Sequence, residues 1–185
     1  TVSYNPEFIA QGTIIKDQVN ADMVLIGEAN SEVGDVVFDS SNNKVLIVFD
    51  DNQDAAGESI VGTVSGTSIS FGSEVQFGNF AIDYPSVAFD STSNKFIIAY
   101  KDTGDSNIGK ARIGTVSGTS ISYGTKVTFN NGTTNDIKAI YDSGSNKTII
   151  VYGDAGNSNQ GTAVVGTVSG TSISFGSESV FETGV

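Results

Sequence analysis

GTVSGTSISFGSE, residues 62–74, returns letter for letter at 166–178, and a near copy, GTVSGTSISYGTK, stands between them at 114–126. One supersecondary unit of about 52 residues is thus copied in tandem, and the copies can be laid over one another residue by residue. Asp39, Asp90 and Asp142 fall in register, as do Gly57, Gly109 and Gly161, and Gly62, Gly114 and Gly166. The segment itself alternates: Ile69, Phe71, Val75 and Phe77 take one face, and Ser68, Ser70, Gly72, Glu74 and Gln76 the other. A strict period of two predicts a strand with one covered and one open side.

Outward from that strand the rest of the unit reads as β-structure. Val64-Ser65-Gly66-Thr67 and its copies form a tight hairpin turn before it. Further upstream lie the runs Val45–Phe49, Phe96–Tyr100 and Ile149–Tyr152, apolar at consecutive positions, which predicts a strand covered on both sides. Before them come FDSSNNKV, FDSTSNKF and YDSGSNKT, turns in which Asp, Ser, Asn and Gly cap the backbone and tolerate left-handed conformations. In the middle copy this places strands at 86–90, 95–101, 109–117 and 120–129.

The expected fold is all-β: tandem four-stranded antiparallel meanders stacked in the manner of β-propeller blades. Three full units span 34–77, 85–129 and 137–181 of a single repeat domain, preceded by a degenerate N-terminal segment over 1–33. Thr1–Phe8 resembles the fourth strand of a unit. Three blades leave a ring unfinished, and open sheet faces and edges invite association. Completion by the N-terminal segment or by a longer parent protein ranks ahead of a six-bladed ring shared by two chains and of strand donation from residues 1–10 to a neighbour.

Composition narrows the chemistry. There is no Cys, which excludes disulfides and thiolate chemistry. There is no His either, which removes the commonest general base and every imidazole metal ligand. Nine basic residues against 21 acidic give a net charge of −12, and Arg112 is the sole arginine, so nucleic acid is not an expected partner. No apolar run reaches the roughly 18 residues of a membrane-spanning helix, so membrane insertion is not expected. With no catalytic motif between the copies, the chain is read as a non-enzyme without a resident cofactor.

One cation site suggests itself. The loop after the second strand carries Asp102, Asp105 and Asn107 in the middle unit, and Asp154, Asn157 and Asn159 repeat that spacing in the third. Such oxygen-rich loops can hold Ca²⁺, which takes six to eight oxygen ligands, but a solvated turn is the favoured reading because EF-hand spacing and a closing bidentate glutamate are missing. The tyrosines at 84, 100, 123, 141 and 152 could offer rings to a sugar or protein surface. Their places in or beside apolar strands assign most of them to the core.

The phrase VGTVSGTSIS(F/Y)GS, with the preceding (F/Y)DSxxNK and its apolar strand, resembles tandem repeats of marine bacteriophage tail-fibre proteins and bacterial surface proteins. The resemblance covers residues 34–181 and implies a propeller-like or extended all-β assembly on a virion or cell exterior, with structural or adhesive duty. It transfers no functional residue. The expected partners are a cell-surface glycan or protein receptor, and further copies of the chain. The alternatives are a self-assembling extracellular filament subunit that pairs its N-terminal strand between subunits, and a carbohydrate-binding propeller or glycosidase.

Overall fold

The computed structural model describes residues 31–51 and 55–183. Residues 1–30, with most of the degenerate N-terminal segment and the strand expected to pair onto a neighbour, lie outside the described residues, as do 52–54. What is described is antiparallel β-structure with one short 3₁₀ turn at Ala155–Asn157 and, among the described residues, no helix long and apolar enough to cross a membrane. The first unit holds β1 (Ser31–Asp39), β2 (Lys44–Asp51), β3 (Ala56–Ser65), β4 (Ser68–Phe71) and β5 (Val75–Gln76). The second holds β6 (Ile82–Asp90), β7 (Lys95–Asp102), β8 (Ile108–Ser117), β9 (Ser120–Tyr123) and the start of β10 (Val127–Asp142). The third takes the rest of β10, then β11 (Lys147–Asp154), β12 (Gln160–Ser169), β13 (Ser172–Phe175) and β14 (Ser179–Glu182).

Each unit is a meander in which consecutive strands pair: β1-β2-β3-β4, β6-β7-β8-β9, and β10-β11-β12-β13. The turns are built as their residue types demand. The Asp39 carboxylate accepts from the Ser41 and Asn42 amides at 2.8 and 3.0 Å, and Asp90 accepts from those of Thr92 and Ser93 at 2.9 and 3.0 Å. The left-handed position of each turn falls to an asparagine, Asn43, Asn94 or Asn146, with φ of 53, 56 and 55°.

The fourth strand is interrupted. β4 and β5 both pair with β3, and β9 and the first part of β10 both pair with β8, with a break at Gly72–Glu74 and Gly124–Lys126. The Gly124 amide bridges the gap by donating to the Ile113 carbonyl. Beyond it the second and third units share one chain segment: Val127–Thr133 pairs with β8, and Thr134–Asp142 with β11. A single sixteen-residue strand therefore runs through both sheets.

The sheets stack face to face, and the apolar core lies in the two gaps. Leu46, Val48, Val61 and Phe77 of the first sheet meet Phe96, Ile98, Tyr100 and Ile121 of the second. Ile97, Ala99, Ile113 and Phe129 of the second meet Ile150, Tyr152 and Ile173 of the third. Fully burying a side chain of this kind stabilises by about 1.5–3 kcal/mol. Polar contacts recur at both gaps: Asn42 donates to Asn94 at 3.1 Å and Thr92 to Asn146 at 2.9 Å. A methyl group on Gly72 would overlap the Thr119 carbonyl, and one on Gly124 would overlap that of Thr171.

The expectation of a second strand covered on both faces holds for β7, in which Phe96–Tyr100 are all buried. In β2 and β11 burial alternates instead, residue by residue. Those strands are as apolar as β7, but each has a described neighbour on one side only.

Candidate functional site

The first strands of the three units lie side by side, β6 between β1 and the second half of β10. Asp35 accepts from the Ser86 hydroxyl at 2.8 Å and from the Val87 amide at 3.0 Å, and the Ser86 hydroxyl accepts from the Ala139 amide at 3.1 Å. Close to this ladder each first strand carries a bulge at the same repeat position: between Val33 and Asp35, between Asp83 and Ser86, and between Asn135 and Lys138. A bulge sets two residues against one on the partner strand and re-aims the side chains beside it.

The three bulges line one cleft of about 460 Å³, walled by Gly34, Asp50, Ile82–Pro85 and Asp136–Lys138. Gly34 is needed for the close approach, since a Cβ there would run into Pro85. Tyr84 and Asp136 occupy matching bulge positions, and both have left-handed backbone, φ 52° and 51°. For an aromatic residue that is a sparsely populated conformation, of the kind that accumulates where a side chain must be presented. The Tyr84 ring is exposed. It is held from below by the Lys101 ammonium, 5.1 Å from the ring centroid, which also pairs with Asp83 at 2.6 Å.

The copies differ where they line this cleft. Gly34, Pro85 and Ile137 are repeat equivalents, as are Asp35, Ser86 and Lys138, and Asp50, Lys101 and Gly153. The GTVSGTSIS segments, by contrast, are the same in all three copies. An exposed ring flanked by carboxylates and ammonium groups suits a ligand with an apolar face and several hydroxyls.

The cation loops are internally engaged. Asp102 is buried, and its carboxylate accepts from Lys126 at 2.9 Å. Asp105 pairs with Lys110 at 2.9 Å, and the carbonyl of Asn107 accepts from the Thr134 amide at 3.0 Å. In the third unit Asp154 is buried and accepts from Asn130 at 3.2 Å, Asn157 donates to Gln160 at 2.9 Å, and Asn159 has a left-handed backbone. A cation at the middle loop would have to displace two ammonium groups. Among the described residues no three acidic groups gather as a metal-binding cluster.

Of the tyrosines singled out in the sequence, Tyr100 and Tyr152 are buried, Tyr123 packs across the first gap with its hydroxyl 2.5 Å from that of Ser59, and Tyr141 bonds to Thr92 and Asn146 beside the turns. Only Tyr84 of the five lies in the cleft. Burial raises the Tyr100 hydroxyl above its ordinary range, reinforced by Asp102, and burial likewise raises Tyr123 against the lowering effects of Ser59 and Arg112. Arg112 is structural: it donates to the carbonyls of Phe77 and Gly124 at 2.7 and 2.9 Å, clasping the first gap. No protein-family model, curated protein or solved structure matches the chain.

Proposed function

We propose that the chain is a non-catalytic structural and adhesive module of an extracellular or virion surface, its sheets acting as blades of a propeller-like array. The scaffold half of this reading rests on the stacking, in which the same glycine–carbonyl approach recurs at successive gaps, together with a turn-to-turn hydrogen bond accepted by the equivalent asparagine, Asn94 or Asn146. The adhesive half rests on one observation: the copies diverge around the cleft where three bulges meet, and there a tyrosine is displayed in a conformation its type rarely adopts. Specificity is commonly carried by a few variable positions on a rigid frame. The ligand class that fits best is a glycan, met by the Tyr84 ring and by the Asp83 and Asp136 carboxylates as hydrogen-bond acceptors.

A glycan array and host-cell binding with the purified protein test this. Binding that is lost in Tyr84→Ala while the circular dichroism spectrum is kept supports the cleft as the contact surface. Binding unaffected by Tyr84→Ala moves the contact elsewhere, and absence of binding in both assays reduces the module to a scaffold.

A further inference from the structure

The two ends of the row carry the halves of one interface. Ile69 of the first unit is 43% exposed, whereas its equivalents Ile121 and Ile173, each packed against the preceding sheet, are 4% and 3% exposed. Phe71 is exposed too, although its equivalents Tyr123 and Phe175 pack into the first and second gaps. At the other end the pattern is reversed. Phe181 is 67% exposed, while Phe77 and Phe129, which face the following sheet, are 0% and 5% exposed. Val165 is exposed where Val61 and Ile113 are buried. Most of these side chains differ from their buried counterparts in lacking a described neighbour, not in chemistry.

We propose that a second copy of this chain docks head to tail, the outer face of its first sheet on the outer face of the third. Three observations select a second copy. The interface already exists twice inside the molecule, and the two outer faces are its unmatched halves, so every copy offers at one end what another lacks. Gly176 keeps the glycine that Gly72 and Gly124 need to admit a carbonyl, yet a Cβ there would meet only the Val165 carbonyl at 3.8 Å; the equivalent carbonyl is that of Thr67 on the incoming copy. Charge is complementary as well. Positions 35, 86 and 138 are equivalent, and the first two touch across their gap; continuing the row sets exposed Lys138 beside Asp35 of the next copy, opposite charges at a step that Asp35 and Ser86 make by a hydrogen bond.

Such a contact is heterologous, and it either closes a ring of two chains or continues as a filament. It does not rest on the glycan reading, because the apolar sheet faces and Gly176 carry it, and of the cleft's lining only Lys138 takes part. Light scattering and native mass spectrometry of the 185-residue protein measure it. The expected result is a particle of at least twice 19.2 kDa, and a monomer at every concentration tested overturns the proposal.

Complementation fixes the polarity. Ile69→Asp spoils only the first face and Phe181→Asp only the last; each variant alone is expected to stay monomeric, and an equimolar mixture to form a dimer that grows no further. Self-association of either variant would show a face-to-same-face contact and sink the head-to-tail arrangement. Gly176→Ala is the control for misfolding: the protomer has room for the methyl group, so its melting curve as a monomer is expected to be kept while association is lost. Unchanged association of Gly176→Ala would also refute the docking mode.

Discussion

Strand β7 and its two repeat equivalents, β2 and β11, make the sharpest contrast in the molecule. All three are apolar runs in the same place of the same meander, yet Phe96–Tyr100 of β7 are buried without a break while β2 and β11 bury only alternate residues. The composition of the strand does not set its burial. Neighbouring sheets do: among the described residues there is one on each side of β7 and one each for β2 and β11.

Truncation is the strongest way to probe that contrast. Ile97 is fully buried, and its equivalent Ile149 is half-buried on the outer face of the third sheet. Ile97→Ala is expected to cost about 2–5 kcal/mol, and Ile149→Ala well under half as much, in urea denaturation under conditions where the protein is monomeric. Equal losses would mean that the third sheet is covered as fully as the second. Next comes overpacking: Gly124→Ala drives a methyl group into the Thr171 carbonyl and should cost about 1–3 kcal/mol.

Buried hydroxyls sharpen the comparison further. The Tyr100 hydroxyl is buried without a hydrogen-bond partner, whereas its equivalent Tyr152 donates to Glu178 at 2.8 Å. Tyr100→Phe should be neutral or stabilising, and Tyr152→Phe should lose about 1 kcal/mol. Both hydroxyls, with that of Tyr123, are raised above their ordinary range, foremost by burial. Their neutral forms are favoured in the folded state, so that share of stability is whole below pH of about 10 and is lost as pH climbs beyond it. Melting temperatures measured across alkaline pH should fall, and less steeply once Tyr100 is Phe.

The smallest effect is expected at the turns. Burial raises Asp90, but bonds from the Ser93 hydroxyl and amide, with Tyr141 and the Thr92 amide, outweigh it and leave the carboxyl below its ordinary value. Asp142 is lowered foremost by the Ser145 hydroxyl and then by the Gly144 amide. Both favour the charged form in the fold, so their share of stability is present above pH of about 4 and drains away as pH falls below it. Asp90→Asn should flatten the acid limb of the stability profile more than Asp142→Asn, whose side chain is exposed.

Much of the fold is legible in the sequence because each unit is written three times. The Asp-to-Asn turns and the Val-Ser-Gly-Thr hairpins carry their own geometry, whereas the single apolar face expected along Ile69–Phe77 does not hold: the break at Gly72–Glu74 leaves Ile69 and Phe71 on the outer face of the first sheet and turns Val75 and Phe77 into the gap with the second. Other features depend on chain that is distant or on local irregularity. The break at Gly124–Lys126 looks like uninterrupted alternation until the β8 register is known. Residues 130–136 have the polar composition of a loop, yet they belong to β10, where Asn130 and Thr134 bond to each other and to Asp154 and Gly132. The cleft was the least visible, since bulges leave no compositional mark. One signal did exist: Gly34, Pro85 and Ile137, like Asp35, Ser86 and Lys138, disagree at matching repeat positions. The surroundings of the cation loops are hidden for a related reason, because the lysine that bonds Asp102 lies 24 residues away in sequence.

Strand β10 makes the three units unequal under load. The first and second are joined through the short stretch between Gln76 and Ile82, held by the Phe77 and Gly78 amides that both donate to the Gly57 carbonyl. The second and third have no slack between them, and tension on β10 is borne in shear by β8 and β11 together. In a tethered molecule the second and third units are therefore expected to resist as a single mechanical element.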